Sequence, residues 1–265
     1  MDTITPPIIM PIPHPFRLKP TTMPNETQLD PTISPPTPSS LHSSTSSLLH
    51  LMQLVSPALP VGAYSYSEGL ETLVQSGNLP DAESLQRWLV QELRYGAVRL
   101  EGAVMVRVYQ AAIASPSNLN YWNQWLSAFR ETEELRQQSW QMGRSLSRLL
   151  LELQPPLEGL LQACGEPCNF AVAFAIASHF WQIDCKTMIL GYLHSWLTNL
   201  VNAGIRLIPL GQTVGQRLLL ELYAEIETAT TSILEMKDED FGNCSWGVAI
   251  ASMNHETLYS RLFRS

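Results

Sequence analysis

Residues 53–77 read QLVSPALPVGAYSYSEGLETLVQSG, and the two prolines in this stretch predict where a first helix stops. Proline lacks a backbone N–H and fixes φ, so Pro57 and Pro60 should end the apolar helix that begins near Leu48. Gly62 then permits a tight turn before the helical pattern resumes. The stretch therefore predicts a helix, an irregular loop and a second helix.

The loop carries a polar and aromatic run, Tyr64, Ser65, Tyr66, Ser67 and Glu68. Loops on a rigid scaffold often carry function, so these five residues are candidates for partner binding. The simpler interpretation is a corner between helices, in which Ser65 or Ser67 caps the second helix and the tyrosines fill gaps. Residue chemistry alone leaves both interpretations open.

Helical periodicity dominates the rest of the chain. Apolar or small residues recur at steps of three and four in three long runs, as expected for buried helix faces. The first run is Leu85, Leu89, Leu93, Gly96, Leu100 and Val104. The second is Leu135, Ser139, Met142, Leu146, Leu149 and Leu153, and the third is Leu219, Leu222, Ile226, Ala229 and Ile233. A glycine in mid-helix, Gly143, indicates that another backbone approaches there. No stretch alternates with a period of two, so we predict an all-α fold, a multi-helix bundle.

The first 47 residues have a different composition from the rest. They hold eleven of the chain's 19 prolines, together with many serines and threonines. Such spacing of prolines opposes a stable helix, and too few large apolar residues remain to form a core. We therefore predict a disordered Pro/Ser/Thr-rich tail at 1–47 and an all-helical domain at 48–265, with Ser46 or Ser47 as its first cap.

The overall composition excludes several classes of function. Hydrophobic residues make up 45% of the chain and charged residues 15%, with a formal net charge of -8. This acidic balance argues against nucleic acid as a partner, because nucleic-acid binding requires a basic face. The low proportion of charged residues suggests that part of the surface is covered by other chains. No secretory signal and no membrane-spanning apolar stretch are visible, so we expect a cytoplasmic protein with no membrane partner.

Catalytic motifs fail when they are tested residue by residue. A nucleophile elbow needs glycine two residues before and after its serine, and neither Ser65 nor Ser67 has both. His255 lacks the second histidine of a zinc-protease motif, and no phosphate-binding Gly-Lys-Ser/Thr loop occurs. We therefore predict that the chain is not an enzyme.

Three residues could bind a soft metal ion. Cys164 and Cys168 are four residues apart, and His179 follows further along. No second pair of ligands completes a tetrahedral site, and a buried thiol beside a turn thiol explains the cysteines equally well. We predict no metal site.

A polar group surrounds the corner between two later helices. Asn202 and Arg206 end one helix, and Gln212 and Gln216 share a face of the next. We expect this corner to bring the four side chains together inside an apolar hairpin. Buried amides and guanidinium groups must be hydrogen-bonded, so the four either lock the corner or line a wet passage.

The last residues combine apolar and basic side chains. Leu262 and Phe263 lie between Arg261 and Arg264, a pattern suited to docking in a groove with an acidic rim. In the alternative interpretation, Phe263 folds back on the last helix of its own chain.

Four motifs, taken together, resemble the urease accessory protein UreF family. They are LLHLMQLVSPALPVGAYSYSEGLE (48–71), ELRQQSWQMGRSL (134–146), NAGIRLIPLGQTVGQRLL (202–219) and MNHETLYSRLFRS (253–265). The motifs occur in order from residue 48 to the last residue and are long enough to be specific.

The resemblance implies an all-helical homodimer that binds UreD (also called UreH), recruits and modulates the GTPase UreG, and serves nickel delivery to urease apoprotein. It implies a scaffold with no firmly bound cofactor, on which nickel is handled transiently by the complex. It also implies an internal channel for nickel, which fits the polar corner, and assigns the groove for the C-terminal segment to UreD.

Two alternatives from other classes stay open at this point. One is a helical enzyme with a pocket around Tyr64–Glu68 and Arg206, which a closed pocket with a perturbed carboxylate would favour. The other is a metal store, which Cys164, Cys168 and His179 would have to support.

Overall fold

The computed structural model describes residues 38–242 and 246–265, with side chains from residue 45 onward. In chain order the helices are α1 Pro38–Leu54, α2 Leu70–Gln75, α3 Ala82–Tyr95, α4 Ala97–Ala114, α5 Asn118–Phe129, α6 Glu133–Leu153, α7 Glu158–Ala163, α8 Phe170–Phe180, α9 Cys185–Leu207, α10 Gln212–Glu221, α11 Tyr223–Glu235 and α12 Trp246–His255. Single 3₁₀ turns lie at Ala63–Ser65, Pro155–Leu157 and Asp238–Asp240. No strand occurs in the described residues, so the all-α prediction is confirmed.

Helix α1 begins earlier in the chain than the sequence predicts. It starts at Pro38 rather than near Leu48, and it therefore includes the last part of the predicted tail. A proline is compatible with the first turn of a helix, where its missing N–H would have no intrahelical partner. Residues 1–37 of that tail lie outside the described residues. The helix ends at Leu54, before the two prolines, as predicted.

The second helix of the opening stretch, α2, is capped differently from the prediction. Its N-cap is Gly69, with φ of 81°, rather than Ser65 or Ser67. The Ser67 hydroxyl instead donates to the carbonyl oxygen of Ser265 at 2.7 Å. The N-cap position is therefore Gly69 rather than a serine, although Ser67 Oγ also accepts a hydrogen bond at 3.4 Å from Glu71 N in the first turn of α2.

Helix α8 is the centre of the core. All its residues from Ala171 to Ser178 are buried, so the helix is enclosed by its neighbours on every side. Its closest neighbours are α4 and α6. Gly143 of α6 permits this approach, because a Cβ there would lie 2.1 Å from the backbone oxygen of Cys168, just before α8.

Candidate functional site

A cavity of about 130 Å³ lies between residues 54–68 and side chains from α4, α6 and α9. A single water needs roughly 10–15 Å³ of such space, so the cavity has room for several. Apolar residues such as Leu54, Val61 and Met142 form part of its wall. Its polar lining residues are Ser56, Tyr64, Glu68, Glu101, Arg130, Gln138, Ser139, Tyr192, Ser195, Trp196, Thr198, Asn199, Asn202 and Arg206.

Glu68 is fixed in the cavity wall by two hydrogen bonds. Gln138 Nε2 donates to one carboxylate oxygen at 2.9 Å, and Trp196 Nε1 donates to the other at 2.9 Å. Burial raises the pKa of Glu68, the nearby Glu101 carboxylate raises it further, and these donors and Arg130 only partly oppose the rise. The backbone at Glu68 has φ of 53°, a left-handed conformation that is uncommon outside glycine.

A buried ionic cluster adjoins Glu68. The Arg130 guanidinium pairs with the Glu101 carboxylate, and the Tyr192 hydroxyl donates to the same carboxylate. Burial and the adjacent Glu101 raise the pKa of Tyr192, so the phenol keeps its proton. Burial opposes the charge of Arg130, but Glu101, Tyr192 and Glu68 outweigh it and raise the pKa of the guanidinium. The cluster thus has two carboxyl groups and one guanidinium facing one cavity.

Two buried polar atoms on the lining are not engaged by the protein. Thr198 Oγ1 and Arg130 Nε have no hydrogen-bond partner in the described part of the chain. Unpartnered buried polar groups are costly, so these atoms favour a hydrated cavity over a dry one.

The predicted polar corner is divided by the structure. Asn202 and Arg206 line the cavity, whereas Gln212 and Gln216 do not, and all four are exposed. The prediction of a buried corner is therefore wrong. Helix α10 packs on α9 through the face that carries Gly215, Leu218 and Leu219, with Gly215 against Ile205. Gln212 and Gln216 lie off this buried face and are in solvent.

The loop at 64–68 and the chain terminus, which the sequence treats as separate candidates, pair with each other. Ser67 N donates to Ser265 O at 2.7 Å, and Arg264 N donates to Ser65 O at 2.8 Å. The Ser265 hydroxyl also donates to Gln138 Oε1 at 2.6 Å. We call residues 65–71 together with 261–265 the clasp.

One buried carboxylate, that of Glu71, holds the clasp closed. It accepts hydrogen bonds from Leu262 N at 2.8 Å and from Phe263 N at 3.0 Å. His255, fully buried, places its two ring nitrogens 3.3 Å from Glu71 and 2.8 Å from Glu134. Glu71, Glu134 and His255 were not among the predicted site residues, and no local spacing signals them because they lie far apart in sequence.

Phe263 is buried in its own chain, as the alternative interpretation of the C-terminal segment expects, but the ring contact recorded for it is with Arg206 of α9. Its side chain is 4% exposed, and the Arg206 guanidinium lies 4.5 Å from its ring centroid. The prediction that Phe263 is an unburied anchor for another chain is therefore wrong, because the ring completes this chain's own core. Leu262 remains exposed, at 55%, and Arg264 is also exposed.

Within the loop, side chains divide in a similar way. Tyr64 is 72% exposed, whereas Tyr66 and Ser67 are buried and Glu68 faces the cavity. Ser65 is half-buried. The exposed members of the predicted partner-binding set are thus Tyr64, Arg261, Leu262 and Arg264, and their role in binding stays a prediction.

The proposed soft-metal trio is not assembled. Cys164 and Cys168 are neighbours, but His179 lies near the other end of α8, where its ring contacts Tyr109 edge to face. In the described residues, no group of three or more His, Cys, Asp and Glu side chains could hold a metal ion. Among the same residues, no helix is both long enough and apolar enough to cross a membrane.

Comparisons with known proteins point to one family. The family model UreF matches residues 79–223. The urease accessory protein UreF of Trichormus variabilis is 60% identical over 218 residues, covering 82% of this chain and 95% of the relative. The UreF protein of a Synechocystis species is 51% identical and covers 83% of this chain and 98% of its own length. The UreF protein of a Janthinobacterium species is 40% identical and covers 82% of this chain and 98% of its own length.

Fold and relatives together define the class as an all-helical accessory protein rather than an enzyme. The chain belongs to the UreF family of urease accessory proteins. The helical-enzyme interpretation is therefore wrong, even though the cavity and the raised pKa of Glu68 are the features that were expected to favour it.

Proposed function

We propose that this chain is a scaffold for urease maturation by nickel insertion. It acts as a cytoplasmic homodimer that binds UreD/UreH, recruits and modulates the GTPase UreG, and serves nickel delivery to urease apoprotein. Membership of the UreF family supports the urease role, since the relatives are named urease accessory proteins.

The clasp is the observation that carries the scaffold proposal. Its hydrogen bonds order two segments that would otherwise be a loop and a terminus, and it leaves Tyr64 72% exposed and Leu262 55% exposed. Exposed aromatic and apolar residues on an ordered surface bind partners at low entropic cost. Arg264, exposed beside them, suits an acidic rim on the partner.

Co-purification with UreD/UreH tests this surface. We expect Tyr64→Ala combined with Leu262→Ala to leave the isolated chain folded, because both side chains are exposed, and to reduce recovery of UreD/UreH at least tenfold. Tyr95→Ala is a matched control, since Tyr95 is 55% exposed and lies outside the clasp, at the end of α3. Recovery of UreD/UreH at the wild-type level by the double variant would contradict the proposal.

The cavity supports a second part of the proposal, a hydrated passage for nickel as cargo. Its lining brings the carboxyl groups of Glu68 and Glu101 to one space, and oxygen atoms of carboxylates can bind divalent cations transiently. Asn202 and Arg206 extend this lining along α9, so half of the predicted polar corner belongs to the same cavity.

Urease activation tests the passage. We expect Glu68→Gln to stay folded and bind its partners, because the amide is isosteric, but to activate urease several-fold less. Gln212→Leu is the control, since Gln212 is exposed and outside the cavity, and it should activate normally. Normal activation by Glu68→Gln would exclude Glu68 from nickel transfer.

A further inference from the structure

Two thiols meet in the short loop between α7 and α8. Cys164 Sγ and Cys168 Sγ are 3.3 Å apart, and neither sulfur is bonded to another cysteine. Cys164 is 0% exposed and Cys168 is 8% exposed. The residues between them are half-buried or exposed, so the pair lies just below the surface.

The loop that holds the two thiols is fixed by α5. Asn123 Nδ2 donates to the backbone oxygens of Cys164 at 3.1 Å and Pro167 at 2.9 Å. The Asn123 carbonyl oxygen, Oδ1, accepts from Asn169 N at 2.9 Å. One side chain thus restrains both ends of the loop, and this restraint keeps the two sulfurs together.

A resident metal ion does not explain the pair. This loop supplies two cysteines, and no third His, Cys, Asp or Glu among the described residues completes a ligand group. A disulfide requires sulfurs about 2.05 Å apart, so the two atoms have to approach by about 1.3 Å, a distance that χ1 rotation covers.

We propose that Cys164 and Cys168 form a reversible disulfide when a hydroperoxide oxidises the protein. The thiolate of one of the two cysteines attacks the hydroxyl oxygen of the peroxide, the O–O bond breaks, and a sulfenic acid forms on that cysteine, while the other peroxide oxygen leaves as water or an alcohol with the proton that the thiol had lost. The sulfur of the second cysteine then attacks the sulfenic sulfur, the S–O bond breaks, and the hydroxyl leaves as water with the proton of the second cysteine. The two thiols lose two electrons, the peroxide gains them, and a dithiol reductant reverses the change.

The two thiols differ in their surroundings. The hydrogen bond between them lowers the pKa of Cys164, and that same hydrogen bond, with burial, raises the pKa of Cys168. A low pKa favours Cys164 as the thiol that peroxide attacks, because the thiolate is the reactive form, whereas exposure favours Cys168, which is 8% exposed against 0% for Cys164. Cys185, whose pKa burial raises to about 11, stays a protonated thiol.

Peptide mass mapping of the reduced full-length chain after hydrogen peroxide treatment tests the proposal. The experiment uses a Cys244→Ser background, because Cys244 lies outside the described residues. We expect the peptide spanning 164–168 to lose two hydrogens and to regain them with dithiothreitol. Cys185→Ser, the control, should leave this result unchanged. An unmodified peptide, a stable sulfinic acid at Cys164 or a disulfide that includes Cys185 would overturn the proposal.

Single variants determine which thiol reacts first. The variant that keeps the thiol attacked by peroxide, Cys168→Ser or Cys164→Ser, should stop at a sulfenic acid that dimedone captures. A lack of dimedone labelling in both variants would overturn the proposal. The mapping of the chain that keeps both Cys164 and Cys168 stands on its own if either variant fails to fold.

Discussion

Glu68 combines three unusual properties in one residue. Its backbone is left-handed, it is half-buried, and its carboxyl group accepts hydrogen bonds from two side chains. Its carboxyl group lies in the cavity wall, where Gln138 and Trp196 hold it. Desolvation outweighs these donors, so the folded chain binds a proton on Glu68 more tightly than the unfolded chain does. The residue is therefore a proton-binding group on the wall of the proposed nickel passage.

This raised pKa gives a pH-dependent prediction with a definite sign. Because the folded pKa lies above the unfolded value of 4.5, stability from Glu68 is complete below that value and is lost as pH rises through the folded pKa. The glutamine of Glu68→Gln cannot titrate. The free energy of unfolding of this variant should therefore increase relative to that of the wild type as pH rises from 4.5 toward neutral. Urea unfolding of both chains across this range measures the difference. A difference that is constant with pH would show that the pKa of Glu68 is not raised by folding.

At the scale of elements, the contact between α6 and the start of α8 depends on one missing Cβ. A side chain at Gly143 would lie 2.1 Å from Cys168 O and 2.7 Å from the Asn169 carbonyl carbon. Backbone atoms cannot rotate aside as a flexible side chain can, so α6 would have to move away from α8. That movement would also disturb the hydrogen bond of Ser139 Oγ to Asn169 Oδ1, at 2.9 Å.

Two glycine variants test this contact. Gly143→Ala should destabilise the chain by about 2 kcal/mol or more, because overpacking against fixed atoms exceeds the gain in helix propensity. Gly159→Ala, in α7, meets nothing within 4 Å and should stabilise by about 0.5–1 kcal/mol. Urea midpoints of the two variants provide the comparison. If Gly143→Ala were as stable as the wild type, the close approach of the backbones would be excluded.

The sequence predicted those elements that local spacing determines. The apolar periods of α3, α6 and α11 identify buried helix faces, and Gly143 indicates a close contact because a Cβ does not fit there. The clasp could not be predicted in the same way. It depends on hydrogen bonds between residues such as Glu71 and Phe263, 192 positions apart, and no local pattern encodes that pairing.

At the scale of the whole molecule, the clasp joins the chain's last residues to the cavity. Ser265 bonds Gln138 with its hydroxyl and Ser67 through its carbonyl oxygen, while Gln138 also holds Glu68 in the cavity wall. A change at the terminus can therefore reach Glu68 through one shared side chain. The proposed partner surface and the proposed nickel passage are connected by the same hydrogen bonds.

Phe263→Ala tests whether the buried ring holds the clasp closed. Removing a buried phenylalanine costs about 3–5 kcal/mol when its site cannot refill. Because residues 261–265 lie outside every helix, we expect this cost to open the clasp locally rather than to unfold the helices. The amides of Ser67, Leu262 and Phe263, which are all hydrogen-bonded across the clasp, should then exchange with solvent roughly 100-fold faster or more, since each 1.4 kcal/mol is about tenfold.

Leu262→Ala is the matched control for this experiment. The Leu262 side chain is 55% exposed, and the Leu262 backbone N–H, like that of Phe263, donates to the Glu71 carboxylate. It should leave the exchange rates of the clasp unchanged while weakening UreD/UreH binding through the lost contact. Phe263→Ala should weaken binding as well, but through loss of the ordered surface that presents Leu262. Unchanged exchange in Phe263→Ala would mean that the Glu71 hydrogen bonds hold the clasp without the ring. The anchoring role would then belong to the carboxylate.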